Sequence, residues 1–68
     1  MFKQLIGVVG YPVTVTLRSS PETLIAGTLS SFDLEEHLLS VVNEKGIYFV
    51  NMDDLSVLLY KNSVLKEN

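Results

Sequence analysis

The groups in this chain with the chemistry for a reaction or a ligand are few. They crowd into two short polar stretches, Asp33-Leu34-Glu35-Glu36-His37 and Asn51-Met52-Asp53-Asp54. Paired acids such as Glu35-Glu36 and Asp53-Asp54 are the raw material of hydrolytic sites and divalent-metal cages. Adjacent acids in loops more often face solvent or cap turns, and no further oxygen ligands are spaced to complete a cage. His37, Asp33 and a serine supply the group types of a nucleophilic relay, but no nucleophile-elbow pattern surrounds any serine. No glycine-rich phosphate loop is present. The chain has no cysteine and one histidine. That excludes disulfides and thiolate metal sites and argues against a zinc site built on imidazoles. The inventory predicts no enzyme, no cofactor and no metal.

The elements that must position these two stretches read as strands. Val13-Thr14-Val15-Thr16-Leu17 alternates apolar and polar with period two and is β-branched, the pattern of a half-buried strand. Arg18 to Glu22 is a polar, proline-containing turn. Thr23 to Asp33 reads as one long strand, with Leu24, Ala26, Thr28, Ser30 and Phe32 on one face and Ile25, Gly27, Leu29, Ser31 and Asp33 on the other. Gly27 inside it marks a bend or a close backbone approach. Asp33 seeds a turn into the third strand, His37 to Val42. Asn43-Glu44-Lys45-Gly46 is a hairpin turn leading to the fourth, Ile47 to Val50, and Leu55 to Tyr60 is the fifth. Ahead of them, Met1 to Gly7 places Phe2, Leu5 and Ile6 at helical spacing, one or two turns that pack an apolar edge on the body. The predicted fold is mainly β: a short N-terminal helix (1–9), a five-stranded, strongly bent antiparallel small barrel (12–60), and a frayed polar tail (61–68), all in one domain spanning 1–68.

Size and charge restrict what such a domain does. The chain has 68 residues, 47% of them hydrophobic, so it folds but has a small core. Below about 70 to 80 residues a core rarely supplies more than about 3–5 kcal/mol, and such domains carry a staple. With disulfides and metal excluded, oligomerisation is the staple left. The net charge of −3 and the scattered basic residues Lys3, Arg18, Lys45, Lys61 and Lys66 give no general field for nucleic acid. Binding of RNA therefore requires a local pocket. No apolar run approaches the ~18 residues of a membrane span, and Leu5 to Val9 lacks a signal-peptide cleavage site. The expectation is a soluble, cytoplasmic protein with no membrane partner. The fourth and fifth strands are apolar on both faces, unlike strands that face water. Tyr48, Val50, Val57, Leu58, Leu59 and Tyr60 are the expected interface residues, through which strand edges pair with neighbouring copies.

The stretch from Val13 to Leu39, VTVTL, a turn, then AGTLSSFDLEEHLL, resembles the first motif of the Sm, LSm and bacterial Hfq proteins. That motif has a V-x-V-x-L strand, a G-x-L in a bent second strand and a hydrophobic-Asp pair. Val13, Val15, Leu17, Gly27, Leu29, Phe32 and Asp33 fall in its register. Gly46 to Leu58 is similar to the second motif. With the helix, the resemblance covers nearly the whole chain and implies an Sm-like (SH3-like) barrel. It also implies a homo-oligomeric ring of about five to eight copies, since head-to-tail pairing either closes or makes fibres.

The family's RNA pocket places candidate site residues at Asp33, Glu35, His37, Asn51, Met52 and Asp53. The family loop reads Asp-x-(aromatic or His)-Met-Asn, with an asparagine that bonds a uridine base and a residue two before it that stacks. His37 stands at the asparagine position and Glu35 at the stacking position. Asn51 and Met52 replace the Arg-Gly of the second motif, Asp53 keeps a common acid, and the Lys-His pair of Hfq is absent. A glutamate cannot stack and repels phosphate, whereas His37 can stack and Asn51 can read a base edge. The plain roles are a turn cap for Asp33, a solvated strand start for His37 and a gap-filler for Met52. Two functions follow from the resemblance: a ring binding single-stranded U- or A-rich RNA at pore-facing loops, or a scaffold and protein-interaction ring that has lost RNA.

Overall fold

The computed structural model describes residues 2–61 and 63–66. Strands β1 (Pro12–Leu17), β2 (Leu24–Asp33), β3 (Leu38–Asn43), β4 (Gly46–Asn51), β5 (Leu55–Tyr60) and β6 (Ser63–Lys66) form one antiparallel sheet in the order β4-β3-β2-β1-β5-β6. The five expected strands are present. The polar tail expected to fray instead supplies β6, which pairs Val57 with Lys66 and Tyr60 with Ser63. Asn62, Glu67 and Asn68 lie outside the described residues.

The sheet is not a closed barrel, contrary to the sequence expectation. Its end strands, β4 and β6, each have a single hydrogen-bonded neighbour. The sheet nevertheless curls strongly, because its extents are nearly equal at 30, 27 and 26 Å, whereas a flat sheet is only about 10 Å thick per layer. Curling collects Val13 and Val15 of β1, Leu29 of β2, Leu39 and Val41 of β3, Val50 of β4 and Leu55 and Leu58 of β5 into one buried cluster.

Two local devices permit the curl. At Gly27 a Cβ would lie 2.5 Å from the carbonyl oxygen of Val42 and 2.8 Å from a methyl of Val41, so β2 and β3 approach there as only glycine allows. At Ser30 the β2–β3 register slips, pairing Leu29 with Val41 but Ser31 with Ser40. Such a bulge bends the strand and exchanges its faces. Phe32 therefore packs against the core on the same side as Leu29, opposite to the strict alternation read from the sequence.

The N-terminal helix is a 3-10 helix, Phe2–Gly7, rather than an α-helix. Its apolar face repeats every three residues, as 3-10 geometry requires: Leu5 and Val8 are buried, while Ile6 is exposed. The side chain of Phe2 lies outside the described set. Gly10, at φ 93°, donates to the Leu29 carbonyl at 2.8 Å, and Leu29 donates to Tyr11 at 3.1 Å, which ties the helix to β2. No helix among the described residues is long and apolar enough to cross a membrane.

Gly27→Ala is expected to destabilise the fold by about 1–3 kcal/mol, the usual cost of overpacking against atoms that cannot retreat. Urea denaturation checks this. An unchanged midpoint would show that β3 yields at Val42.

Candidate functional site

The curl brings together the turns that follow β2 and β4. Asp33 ends β2, and its Oδ1 accepts from the backbone N–H groups of Glu35 (2.9 Å) and Glu36 (3.1 Å). This is the Asx arrangement that turns a chain without further help. His37 closes the turn at φ 55°, in the left-handed region, and delivers the chain into β3. Across the sheet Leu38 pairs with Asn51, and the N–H of Met52 donates to the His37 carbonyl at 2.7 Å. A second 3-10 turn, Met52–Asp54, begins there, capped by Asn51, whose Oδ1 accepts from the Asp53 N–H at 2.8 Å. The His37 imidazole Nδ1 lies 3.2 Å from Asp53 Oδ1, both side chains being well exposed.

Asp33, His37, Asn51 and Asp53 thus lie within two adjoining turns. Each has local work: Asp33 holds its own turn, Asn51 caps, and His37 and Asp53 bond one another. Glu35 is exposed. Met52 is fully buried and adds its side chain to the core rather than to a surface. Asp54, weighed from the sequence only as one of a pair of acids, has turned away. Its carboxylate accepts from both the N–H and the hydroxyl of Ser19, and its carbonyl accepts from Arg18 at 2.8 Å. Asp54 pins the β1–β2 loop.

The electrostatics are one-sided. The same two turns carry Asp33, Glu35, Glu36 and Asp53 beside a single imidazole in the sequence, with no lysine or arginine in either turn. A phosphate approaching this surface meets like charge. The hydroxyls of Ser31 and Ser40 lie 2.8 Å apart and bond each other in the β2–β3 ladder. Among the described residues no group of three acids, histidines or cysteines is placed to hold a metal ion. The arrangement positions turns and presents negative charge.

Concavity lies elsewhere. A shallow cleft of 690 Å³ runs across β1, β2, β3 and β5, lined by Pro12, Thr14, Ala26, Thr28, Asn43 and Lys61 among others. None of the six residues singled out for RNA lines it.

The expected interface residues divide by strand. Val50 and Leu58 are buried in the core, Val57 and Tyr60 are half-buried, and Tyr48 and Leu59 are exposed. In β4 Ile47 and Phe49 are also exposed, at 59% and 72%, so the strand shows water three consecutive large apolar side chains beside an unpaired backbone edge. Sequence reasoning missed β6 at the other end. Its signal was present: Lys61-Asn62-Ser63, a three-residue polar interruption between the apolar runs Leu58-Leu59-Tyr60 and Val64-Leu65, has the spacing of a short hairpin. Lys61 takes φ 55° there.

No family model matches the chain, and no curated protein or solved structure matches it either.

Asn51→Ala is expected to lower stability by about 1 kcal/mol through loss of the cap, while Asn51→Asp, which keeps an acceptor, holds it. Thermal and urea unfolding of the two variants check this. Equal losses would mean that the amide, not the acceptor oxygen, matters.

Proposed function

We propose that this chain is a self-assembling, Sm-like scaffold module, whose copies pair head to tail through the β4 edge into a closed ring that presents an acidic protein-interaction surface. The observation that carries this reading is the bare edge of β4, with Ile47, Tyr48 and Phe49 in solvent. A flat apolar edge without charge or proline invites another strand, and proteins that remain monomeric cover or charge such edges. The resemblance of residues 13–39 to the first Sm motif supports the ring as the form of assembly.

Magnitudes favour closure. Fully burying a side chain such as Ile47 or Phe49 contributes about 1.5–3 kcal/mol. Association costs an estimated 4–15 kcal/mol in lost translational and rotational freedom. One edge contact is therefore marginal, and a ring, in which every copy makes two contacts, is the economical way to hold. Among the described residues eleven hydrophobic side chains are buried, a small core that leaves little stability in reserve.

The alternative, a ring binding single-stranded U- or A-rich RNA, draws on one observation. The turns after β2 and β4 adjoin, with the exposed His37 imidazole between them. Against it stand the four carboxylate residues of those turns, the burial of Met52 and the capping role of Asn51.

Light scattering over a wide concentration range, with and without a short uridine-rich RNA, tests both readings. The expected result is a mass of several subunits that RNA leaves unchanged. Phe49→Lys and Ile47→Lys are expected to give folded monomers, because a lysine on an edge strand blocks pairing. A wild-type chain that stays monomeric overturns self-assembly. A mass that rises by one oligonucleotide, with binding that weakens steeply in salt, favours the RNA reading.

A further inference from the structure

Head-to-tail pairing of a sheet needs two unlike edges, and the strand order supplies two. Among the described residues β4 and β6 each have one hydrogen-bonded neighbour, while every other strand has two. We infer that the outer edge of β6 receives β4 of the next copy, so that the sheet continues from one copy into the next. The inference rests on the self-pairing reading above and names the surface that completes it.

The two edges carry matching side chains. In β4 the burial of Val50 places Ile47 and Phe49, by strand alternation, on the outer face, where both are largely exposed. In β6 Val64 stands opposite Leu59, whose neighbour Leu58 is buried in the core. Val64 therefore also belongs to the outer face, and it is 52% exposed. Joining β4 to β6 sets Val64 beside Ile47 and Phe49 on one continuous face, an apolar contact across neighbouring strands. Neither Gly46 to Asn51 nor Ser63 to Leu65 contains a charge or a proline, the residues that guard edges meant to stay bare.

Charge selects which edges meet. Residues 33–54 run from the end of β2 through β3 and β4 to the second 3-10 turn. They hold six acids and one lysine, a net charge of −5 with His37 neutral. Residues 55–68, which include β5 and β6, hold two lysines and one acid, a net charge of +1. Two β4 edges face to face would bring −5 against −5, whereas β4 against β6 brings −5 against +1. Pairing β6 with β6 would leave both β4 edges bare.

The receiving edge is held in place within its own chain. The Lys61 ammonium, in the turn between β5 and β6, sits 4.7 Å from the ring centroid of Tyr11 and 5.2 Å from that of Tyr60. The two rings meet edge to face at 5.5 Å. These cation–π contacts tie the turn to the residue that precedes β1. An edge ordered beforehand spares the contact the cost of ordering it.

The chain has no cysteine, so single cysteines report what lies across the contact. Phe49→Cys and Val64→Cys chains, one of them carrying a mass tag, are refolded together in equal amounts above the assembly midpoint and treated with a short bismaleimide. The 49–64 pair is expected to exceed the 49–49 and 64–64 pairs together at least threefold, whereas random encounter makes the two amounts equal. Val64→Lys, folded by circular dichroism, is expected to raise the assembly midpoint at least tenfold.

A predominance of 49–49 pairs, or equality, would overturn β6 as the receiving edge and leave self-pairing standing. Assembly of Val64→Lys at the wild-type midpoint would do the same, and that variant decides if either cysteine chain fails to assemble. If Val64→Lys does not fold, the cross-linked pairs decide. A wild type that stays monomeric overturns self-pairing, and the role of β6 with it.

Discussion

A single sheet with no second layer can bury its apolar face only by folding around it. That constraint governs the molecule. It explains why β2 carries both a glycine that admits the Val42 carbonyl and a bulge at Ser30, since a straight strand of ten residues would hold the sheet open. It explains why the 3-10 helix matters despite its length: Leu5 and Val8 join the buried core cluster. It also explains β3. That strand lies deepest in the curl, with Leu39, Ser40 and Val41 buried in succession, and the Ser40 hydroxyl is tolerated there because Ser31 bonds it.

The same constraint decides what the candidate site can be. The turns after β2 and β4 adjoin because their strands flank β3, and the polar groups delivered there are consumed in shaping them. A carboxylate bound to two backbone amides, an amide capping a 3-10 turn and an imidazole on a neighbouring acid make a well-defined surface. Their chemistry is directed inward to the backbone. What remains on that surface is negative charge, which repels a phosphate backbone.

The parts of this fold legible in the sequence are those set by local pattern. Alternation of valine and threonine placed β1, and the turn residues after Asp33 and Asn43 placed the strands beyond them. Asp33 as a turn cap followed from its type and position. The rest depended on tertiary context. Phe32 reads as opposite to Leu29 under strict alternation, and only the bulge, specified by pairing with β3, reverses it. β3 and β4 are equally apolar as text, yet β3 is central and buried whereas β4 is terminal and largely exposed, because strand order is not written in either segment. The N-terminal apolar residues fit an α-period or a 3-10 period over so short a run, and packing of Leu5 and Val8 selects the latter. β6 was hidden by its polar surroundings, since lysines and asparagines around two apolar residues look like a solvated end. Closure of the barrel is likewise a matter of tertiary context: the end strands β4 and β6 are not hydrogen-bonded to one another.

The pairing of β1 with β5 carries one more consequence. β1 is the first strand and β5 the fifth, and Val13 lies opposite Tyr60 in their ladder. A chain emerging from its amino end completes β2, β3 and β4 while β1 still lacks one of its two neighbours. The core cannot close until β5 has been made, because Leu55 and Leu58 form part of it. Closure of the core therefore waits on one late, long-range event. Non-local pairing of this kind slows folding, because its loop-closure entropy is paid before its contacts form. A nascent chain of this protein passes through an interval in which a half-built sheet exposes its interior, and the order of synthesis, as much as the final contacts, sets how long that interval lasts.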